Sequence, residues 1–152
     1  MKIPIQCNRE ITYILYNYNN IDKLIDERKN FLIDNIAITN KAYLKAIKSN
    51  NSNTLEDVVM KFDSDKYVKR LKKWKKLINS FCNKLYDDER KFYYYFIKYK
   101  YFIKKDDEFI KEHMNLNNNE FNQINNYLKW VIYQYAVIDD LYSERRLYSW
   151  VK

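Results

Sequence analysis

Few residues in this sequence have the types and spacing that catalysis or metal binding requires. The single histidine, His113, lies in a short helical segment without a nearby cysteine, so its imidazole fits a packing or solvent-edge position better than a metal ligand or general base. The two cysteines, Cys7 and Cys82, are far apart and form no C-x-x-C pair, which predicts neither a disulfide framework nor a zinc site. We therefore expect no enzyme activity, no metal and no cofactor.

Two clusters of carboxylates come before apolar runs with helical spacing. Both have the sequence Asp-Asp-Glu, at residues 87–89 and 106–108. Acidic side chains are favoured at helix N-termini, where they cap free N–H groups and interact with the helix dipole. Both clusters are therefore predicted to start helices, and neither indicates a metal site.

The composition is basic and contains no glycine. The 152 residues include 28 Lys+Arg against 20 Asp+Glu, a formal net charge of +8, which indicates a polyanion as the expected kind of partner. Without glycine the chain has neither a P-loop nor a dinucleotide-binding fingerprint, and tight β-hairpins are disfavoured. No secretory leader and no 18-residue apolar run occurs. We expect a cytoplasmic protein with no membrane contact.

The basic charge is concentrated between residues 61 and 85. Nine Lys+Arg stand there against Asp63 and Asp65, a local charge of +7. Apolar residues step by 4, 3, 4, 3 and 4 in the same segment, which predicts a long helix that begins at Asp63 or Ser64 and has one apolar seam. The seam residues are Tyr67, Leu71, Trp74, Ile78, Phe81 and Leu85. The opposite face offers contacts to DNA phosphates from four lysines: Lys69, Lys72, Lys73 and Lys76.

The next predicted helix carries a broad aromatic face, followed by a short helix that Asp106 and Asp107 cap. The aromatic face consists of Phe92, Tyr95, Phe96, Tyr99 and either Phe102 or Ile103. The buried side of the short helix is predicted to be Phe109, Ile110 and Met114. Asn115 then ends the helix in the left-handed conformation, and Leu116 plugs the turn.

A final helix follows and is predicted to end near residues 139–140. Asn117 and Glu120 have the spacing of a capping box at its start. A short helix, a turn and a longer helix are the outline of a helix-turn-helix, whose second helix enters the DNA major groove. The same spacing also fits an αα-hairpin of a helical bundle.

Polar residues lie opposite the buried positions of this last helix. They are Asn119, Asn122, Gln123, Asn126 and Lys129. Asn and Gln can bond adenine N6 and N7 as a bidentate pair, which suits base reading at an A·T-rich site. The asparagines also fit a second explanation, the composition bias of an AT-rich genome.

The N-terminal part is predicted to form two helices that separate at residues 19–20. Six small polar residues, 49–54, then indicate a linker. We therefore divide the chain into an N-terminal helical arm (1–48), a polar linker (49–60), a body with the basic helix and the helix-turn-helix (61–140), and a tail (141–152). The predicted fold class is all-α, a helical bundle with a C-terminal helix-turn-helix and a loosely attached N-terminal helical arm.

Four segments together resemble one family, the RinA/ArpU-like phage late-gene transcriptional regulators. They are the arm with Tyr16, Tyr18, Ile21, Leu24, Ile25, Arg28 and Phe31, the linker Ser52-Asn53-Thr54, the helix with Leu71-x-x-Trp74, and the segment Ile110-Lys111-Glu112-His113-Met114-Asn115-Leu116-Asn117. The resemblance covers about residues 10–138. It implies a variable arm before a helix-turn-helix similar to the DNA-binding part of sigma factors.

The function that this resemblance implies is a non-enzymatic phage or prophage transcriptional regulator. Double-stranded A·T-rich promoter DNA is its expected partner, with RNA polymerase as a further expected partner. Helix-turn-helix proteins usually bind as dimers, so we expect a homodimer in equilibrium with the monomer. A function of another class stays open: a helical protein-interaction or phage assembly or inhibitor module whose aromatic helices bind another protein.

Overall fold

The chain is all-α in the residues that the computed structural model describes, 1–39 and 62–142. These residues form six α-helices and no strand, which confirms the predicted all-α class. The helices are α1 (Ile5–Asn17), α2 (Ile21–Thr39), α3 (Lys66–Asp87), α4 (Lys91–Ile97), α5 (Asp107–His113) and α6 (Asn118–Ile138). A 3-10 turn, Tyr18–Asn20, joins α1 to α2, and a π-helical segment, Lys98–Phe102, extends α4.

The chain divides into two compact units. The first contains Met1–Asn19 and the chain from Trp74 onward, so it holds α1, most of α3, and α4 to α6. The second, Asn20–Lys73, holds α2 and the first residues of α3. Helix α1, which the sequence assigns to the N-terminal arm, therefore shares a unit with α5 and α6. The predicted linker and the tail from residue 143 lie outside the described residues.

Helix α1 is anchored in the first unit by a buried polar contact. It packs against α6 and against the π-helical segment. Glu10 and Trp74 are both 0% exposed, and a carboxyl oxygen of Glu10 accepts a hydrogen bond of 2.6 Å from the indole Nε1 of Trp74. Tyr16 adds an edge-on ring contact with Tyr101, at 4.8 Å between ring centroids. Since a buried polar group requires its partner, this bond fixes α1 relative to α3.

Four residues with positive φ follow the ends of helices. They are Glu89 (φ 58°), Lys104 (φ 61°), Asn115 (φ 54°) and Asp140 (φ 58°). After α3, α5 and α6, the next residue donates its N–H to a carbonyl five residues back, as in a Schellman motif. These bonds are Arg90 to Leu85 at 3.0 Å, Leu116 to Lys111 at 2.7 Å, and Leu141 to Ala136 at 2.9 Å. The chain uses side-chain-bearing residues where other proteins usually have glycine.

The acidic run 87–89 ends α3, so the prediction that it starts the next helix is wrong. Helix α3 extends through Asp87, and Glu89 forms the turn. Helix α4 then begins at Lys91, and its N-cap residue, Arg90, makes no side-chain capping bond. The reason is the apolar seam: its last residue, Leu85, is buried, so the helix continues past this position before it ends.

The apolar seam of α3 is confirmed by burial from its second residue onward. Tyr67 is half-buried, whereas the later seam residues are buried: Leu71, Trp74, Ile78, Phe81 and Leu85. Val68, which was not among the predicted seam residues, is also buried. The spacing therefore identified the core face of the longest described helix.

The second unit contains a charged pair that also caps α3. Arg28 donates hydrogen bonds to both carboxylate oxygens of Asp65, at 3.1 and 3.3 Å. Asp65 accepts the Val68 N–H as well, at 3.1 Å, so it caps α3 in place of the predicted Asp63 or Ser64. Asp65 is better suited to this role because the bidentate pair with Arg28 fixes its carboxylate.

The π-helical segment changes which residues after α4 are buried. The structure buries Phe96, Ile97 and Tyr101, but Phe92 is 44% exposed and Ile103 is 46% exposed. The predicted aromatic face is therefore wrong at Phe92, and of the two alternatives for its last position Phe102 is half-buried while Ile103 is exposed. A π-helical turn holds one more residue than an α-helical turn, as the bond from the Ile103 N–H to the Lys98 carbonyl at 2.8 Å shows. This extra residue shifts the buried positions away from the 3.6-residue period.

We predict that the bond between Glu10 and Trp74 stabilises the first unit. Trp74→Phe removes the donor to a buried carboxyl group and should lower the free energy of unfolding by about 1.5–3 kcal/mol. The control is Trp130→Phe, because Trp130 is half-buried on α6 and its indole N–H makes no hydrogen bond with a described residue. A double-mutant cycle with Glu10→Gln, measured by urea unfolding, isolates the coupling energy. Equal losses in the two tryptophan variants would contradict the prediction.

We also predict that glycine at position 89 stabilises the protein. The left-handed conformation destabilises a residue with a Cβ by about 1 kcal/mol relative to glycine. Glu89→Gly should therefore raise the free energy of unfolding by roughly that amount. In thermal unfolding, this is a rise in Tm of about 2–4 °C. Asp88→Gly, at the neighbouring residue with negative φ, should lower Tm instead. A lower Tm for Glu89→Gly would refute the strain argument.

Candidate nucleic-acid interface

Helix α5 and the turn after it have the predicted helix-turn-helix outline. Asp106 caps α5, since its carboxylate accepts the Phe109 N–H at 2.7 Å. Asn115 is left-handed, as predicted, and Leu116 is half-buried in the turn. The prediction for the buried side of α5 is only partly right: Ile110 is 0% exposed, but Phe109 is 38% exposed.

The start of α6 is fixed by the capping box that the sequence predicts. The side chain of Asn117 accepts the Glu120 N–H at 2.8 Å, and the Glu120 carboxylate accepts the Asn117 N–H at 2.9 Å. Both bonds satisfy N–H groups that have no partner within the helix. The start of α6 is therefore fixed at Asn117.

The four predicted base-reading amides are exposed on one side of α6. They are Asn119, Asn122, Gln123 and Asn126, and we call them the amide face. At about 100° per residue they fill an arc of roughly 100° opposite the core residues of α6. Among the described residues, none of the four makes a side-chain hydrogen bond. Their donors and acceptors are thus available to a ligand.

Neighbouring asparagines on α6 are used inside the protein. Asn125 accepts a hydrogen bond from the hydroxyl of the buried Tyr101, and Asn118 accepts one from Lys111 at 2.7 Å. Tyr101 lies in the π-helical segment, so its bond ties that segment to α6. The structure therefore separates asparagines that hold α6 in place from those that face solvent.

Lys129, the fifth predicted base-reading residue, differs from the amides. It is half-buried, and burial together with the charge of Lys100 lowers its pKa. Lys100 in turn donates to Asp107 at 3.0 Å. Lys129 therefore lies at the edge of the amide face, beside a second lysine.

Three acidic residues around α5 and the start of α6 have structural partners. Asp107 pairs with Lys100, Glu108 pairs with Lys111 at 2.6 Å, and Glu120 belongs to the capping box. Residues 87–140 hold ten acidic against eight basic residues, a local charge of −2. These pairs neutralise part of the acidic charge next to the amide face.

The four predicted phosphate-binding residues lie on one exposed side of α3. We call Lys69, Lys72, Lys73 and Lys76 the lysine face; none of them has an ion pair with another described residue. All four lie opposite the apolar seam, as the spacing predicted. A solvated cationic strip of this kind suits phosphate contacts.

Within the first unit, Lys76 and the amide face lie toward opposite ends of α6. Helices α3 and α6 run antiparallel there: the Trp74 ring is 6.1 Å from that of Tyr142, and Lys84 Nζ is 3.2 Å from the Tyr135 hydroxyl. Lys76 is therefore level with the C-terminal end of α6. At about 1.5 Å per residue, the amide face begins roughly 20 Å away along the helix.

Sequence reasoning did not identify an aromatic and basic cluster beside α5. His113 stacks on Phe109 at 5.4 Å with an interplanar angle of 9°, and Tyr99 meets His113 edge-on at 5.2 Å. Lys105 lies 5.0 Å above the Phe109 ring. His113 is thus a stacking residue at the protein surface, which agrees with the packing or solvent-edge position expected of it. Tyr99 lies in the π-helical segment, which the sequence did not signal.

The described residues hold no group of three His, Cys, Asp or Glu side chains that could bind a metal ion. In the same two ranges, no helix has both the length and the apolar character needed to cross a membrane.

Comparison of the chain with protein-family models, with curated proteins and with solved structures finds no match.

We predict that the stability of the protein falls at alkaline pH through Cys82 and Tyr101. Burial raises the pKa of Cys82 from 9.0 to about 12 and also raises the pKa of Tyr101. The folded state therefore holds these protons more tightly than the unfolded state. The stabilisation is complete below about pH 9 for Cys82 and below about pH 10 for Tyr101, and above that pH each contribution falls by about 1.4 kcal/mol per pH unit.

The measurement is urea unfolding between pH 7 and 11. Cys82→Ala and Tyr101→Phe should each reduce the alkaline slope, although each also lowers stability at pH 7 through lost packing or lost hydrogen bonding. The pH 7 values serve as the internal reference. Unchanged slopes in both variants would contradict the prediction.

Proposed function

We propose that this protein is a non-enzymatic transcriptional regulator, of the phage or prophage type, that binds A·T-rich promoter DNA through α5 and α6. In this proposal α6 enters the major groove with its N-terminal half. Contact with RNA polymerase and assembly into a homodimer belong to the same proposal. Light scattering over a range of concentrations tests the dimer.

The observation that carries the proposal is the amide face. Asn119, Asn122, Gln123 and Asn126 project from one side of α6, with no side-chain hydrogen bond to another described residue, directly after a turn and a capping box that fix the helix start. An amide offers both a donor and an acceptor, which matches the N6 and N7 edge of adenine in the major groove. Exposed amides in this position support base reading at A·T pairs.

The lysine face is proposed to contact phosphates. Lys76 lies roughly 20 Å along α6 from the amide face and opposite the apolar seam of α3, whereas the amide face lies opposite the core residues of α6. The lysine face would therefore contact a different stretch of DNA from the one that the amide face reads. Phosphate contacts would supply affinity without sequence preference, and the amides would supply the preference.

A second function, binding to another protein, is favoured by exposed apolar residues in the first unit. Phe92, Ile103 and Phe109 are 44%, 46% and 38% exposed. Exposed aromatic and apolar side chains are common where a partner protein docks. Such an assembly or inhibitor module would bind its partner stoichiometrically and would not bind DNA.

The test measures fluorescence anisotropy with A·T-rich and G·C-rich duplexes over a series of salt concentrations. Asn122→Ala and Asn126→Ala should each lose roughly 1–3 kcal/mol on the preferred duplex and little on the other. Gln134→Ala is the matched control, because Gln134 is an exposed amide in the C-terminal half of α6. It should bind like the parent protein.

Each lysine-face variant should behave differently from the amide variants. Lys69→Ala, Lys72→Ala, Lys73→Ala and Lys76→Ala should weaken binding equally on all duplexes and lower the salt slope by about one. Lys23→Ala, at an exposed lysine of α2, is the control. A parent protein that binds no duplex at low salt, but captures a protein partner stoichiometrically, would replace this proposal with the second function.

A further inference from the structure

We propose that the first unit contains a small-molecule site that binds an aromatic monocarboxylate with a single ring. The site is a pocket of about 230 Å³ between the C-terminal part of α3, the turn from α3 to α4, and the middle of α6. It lies apart from the amide face and requires no DNA. Its chemistry follows from its volume, its apolar wall and its charged rim.

The volume of the pocket selects a small ligand. A cavity of about 150 Å³ is enough to hold benzene, and pockets for drug-sized ligands and cofactors usually measure about 300–1,000 Å³. A pocket of about 230 Å³ lies between these values. It has room for one aromatic ring with a short acidic substituent, but it is too small for a nucleotide.

The wall of the pocket suits an aromatic ring. Phe81, Leu85 and Leu128 line it and are themselves 6%, 6% and 2% exposed, so they form a fixed apolar surface. Tyr93 and Tyr127 line it as well, with their ring centroids 6.0 Å apart and the rings tilted by 51°. A ligand ring against this wall would gain both apolar burial and edge-to-face contacts.

The rim carries hydrogen-bond donors that suit an anion. Arg90 lines the pocket, and its guanidinium has no ion pair or side-chain hydrogen bond with a described residue. A guanidinium presents two parallel N–H groups that match a carboxylate. Lys84 is a second cation at the rim; its Nζ lies 3.2 Å from the hydroxyl of Tyr135.

The backbone holds Arg90 at the pocket. Its N–H donates to the Leu85 carbonyl at 3.0 Å, and its carbonyl accepts the Tyr93 N–H at 3.0 Å. The left-handed Glu89 just before it makes this turn possible. The guanidinium therefore extends from a fixed backbone position.

The charge of the rim favours a monoanion over a dianion. Lys84 and Arg90 contribute two positive charges, and Asp88, which also lines the pocket, contributes one negative charge. The sum is +1, which one carboxylate neutralises. A phosphate dianion would leave an excess negative charge next to Asp88.

The experiment titrates phenylacetate into the full-length protein without DNA and follows binding by NMR chemical shifts and calorimetry. We expect saturable binding with one site, and chemical-shift changes in the tyrosine ring signals. Phenylacetamide, the neutral analogue of similar shape, should bind at least about tenfold more weakly. The DNA-binding proposal is not involved, so a failure here leaves it intact, and a failure of that proposal leaves the pocket intact.

Two substitutions locate the site. Arg90→Gln should weaken phenylacetate binding about tenfold and leave phenylacetamide binding unchanged, and Lys91→Gln, at the neighbouring exposed lysine that does not line the pocket, should change neither. Val131→Trp, which fills the pocket from α6, should abolish binding of both compounds while circular dichroism stays helical. The proposal is overturned if phenylacetate does not bind at millimolar concentration, or if acid and amide bind equally well and Arg90→Gln has no effect.

Discussion

The absence of glycine is the constraint on which the other features of this structure depend. A helix that ends sharply needs a left-handed residue, and this chain fills that position with Glu89, Lys104, Asn115 and Asp140. Two of these turns position other features: Asn115 directs α5 into α6, and Glu89 brings Arg90 to the pocket. Because a Cβ is disfavoured in this conformation, tertiary contacts must hold the turns in place. The buried residues of the first unit supply those contacts.

The contact between Glu10 and Trp74 shows how the helices of the first unit are held in register. Apolar burial alone is not directional, so several arrangements of α1 would bury the same leucines and isoleucines. A buried carboxyl group accepts far fewer arrangements, because each one must provide it with a donor. Tyr101 acts in a similar way between the π-helical segment and α6, where its hydroxyl bonds Asn125. Polar contacts therefore select one packing among those that the apolar surfaces permit.

The sequence predicted the structure correctly wherever a single local pattern determined it. The period of the seam identified the buried side of α3, and the spacing of Asn117 and Glu120 identified the start of α6. The sequence-based prediction failed where two local preferences competed. Residues 87–89 have the composition of a helix start but end α3, because the burial of Leu85 outweighs the preference of acidic residues for N-termini. The π-helical segment has no sequence signal, so the burial of Tyr101 and the exposure of Ile103 could not be inferred from a 3.6-residue period.

Helix α6 presents three different surfaces, and their separation limits how the amide face could bind a polyanion. Its core side packs through Phe121 and Leu128, its outer side carries the amides, and Tyr127 borders the pocket. The lysines nearest the outer side have other contacts: Lys100 and Lys111 pair with acidic residues, and Lys129 is half-buried. Hydrogen bonds from the amides would therefore act without strong local charge. Affinity for phosphates would then have to come from cations elsewhere in the protein, and Lys76, about 20 Å along α6, is exposed and has no ion pair with a described residue. A duplex that reaches only the amide face would consequently gain selectivity but little affinity.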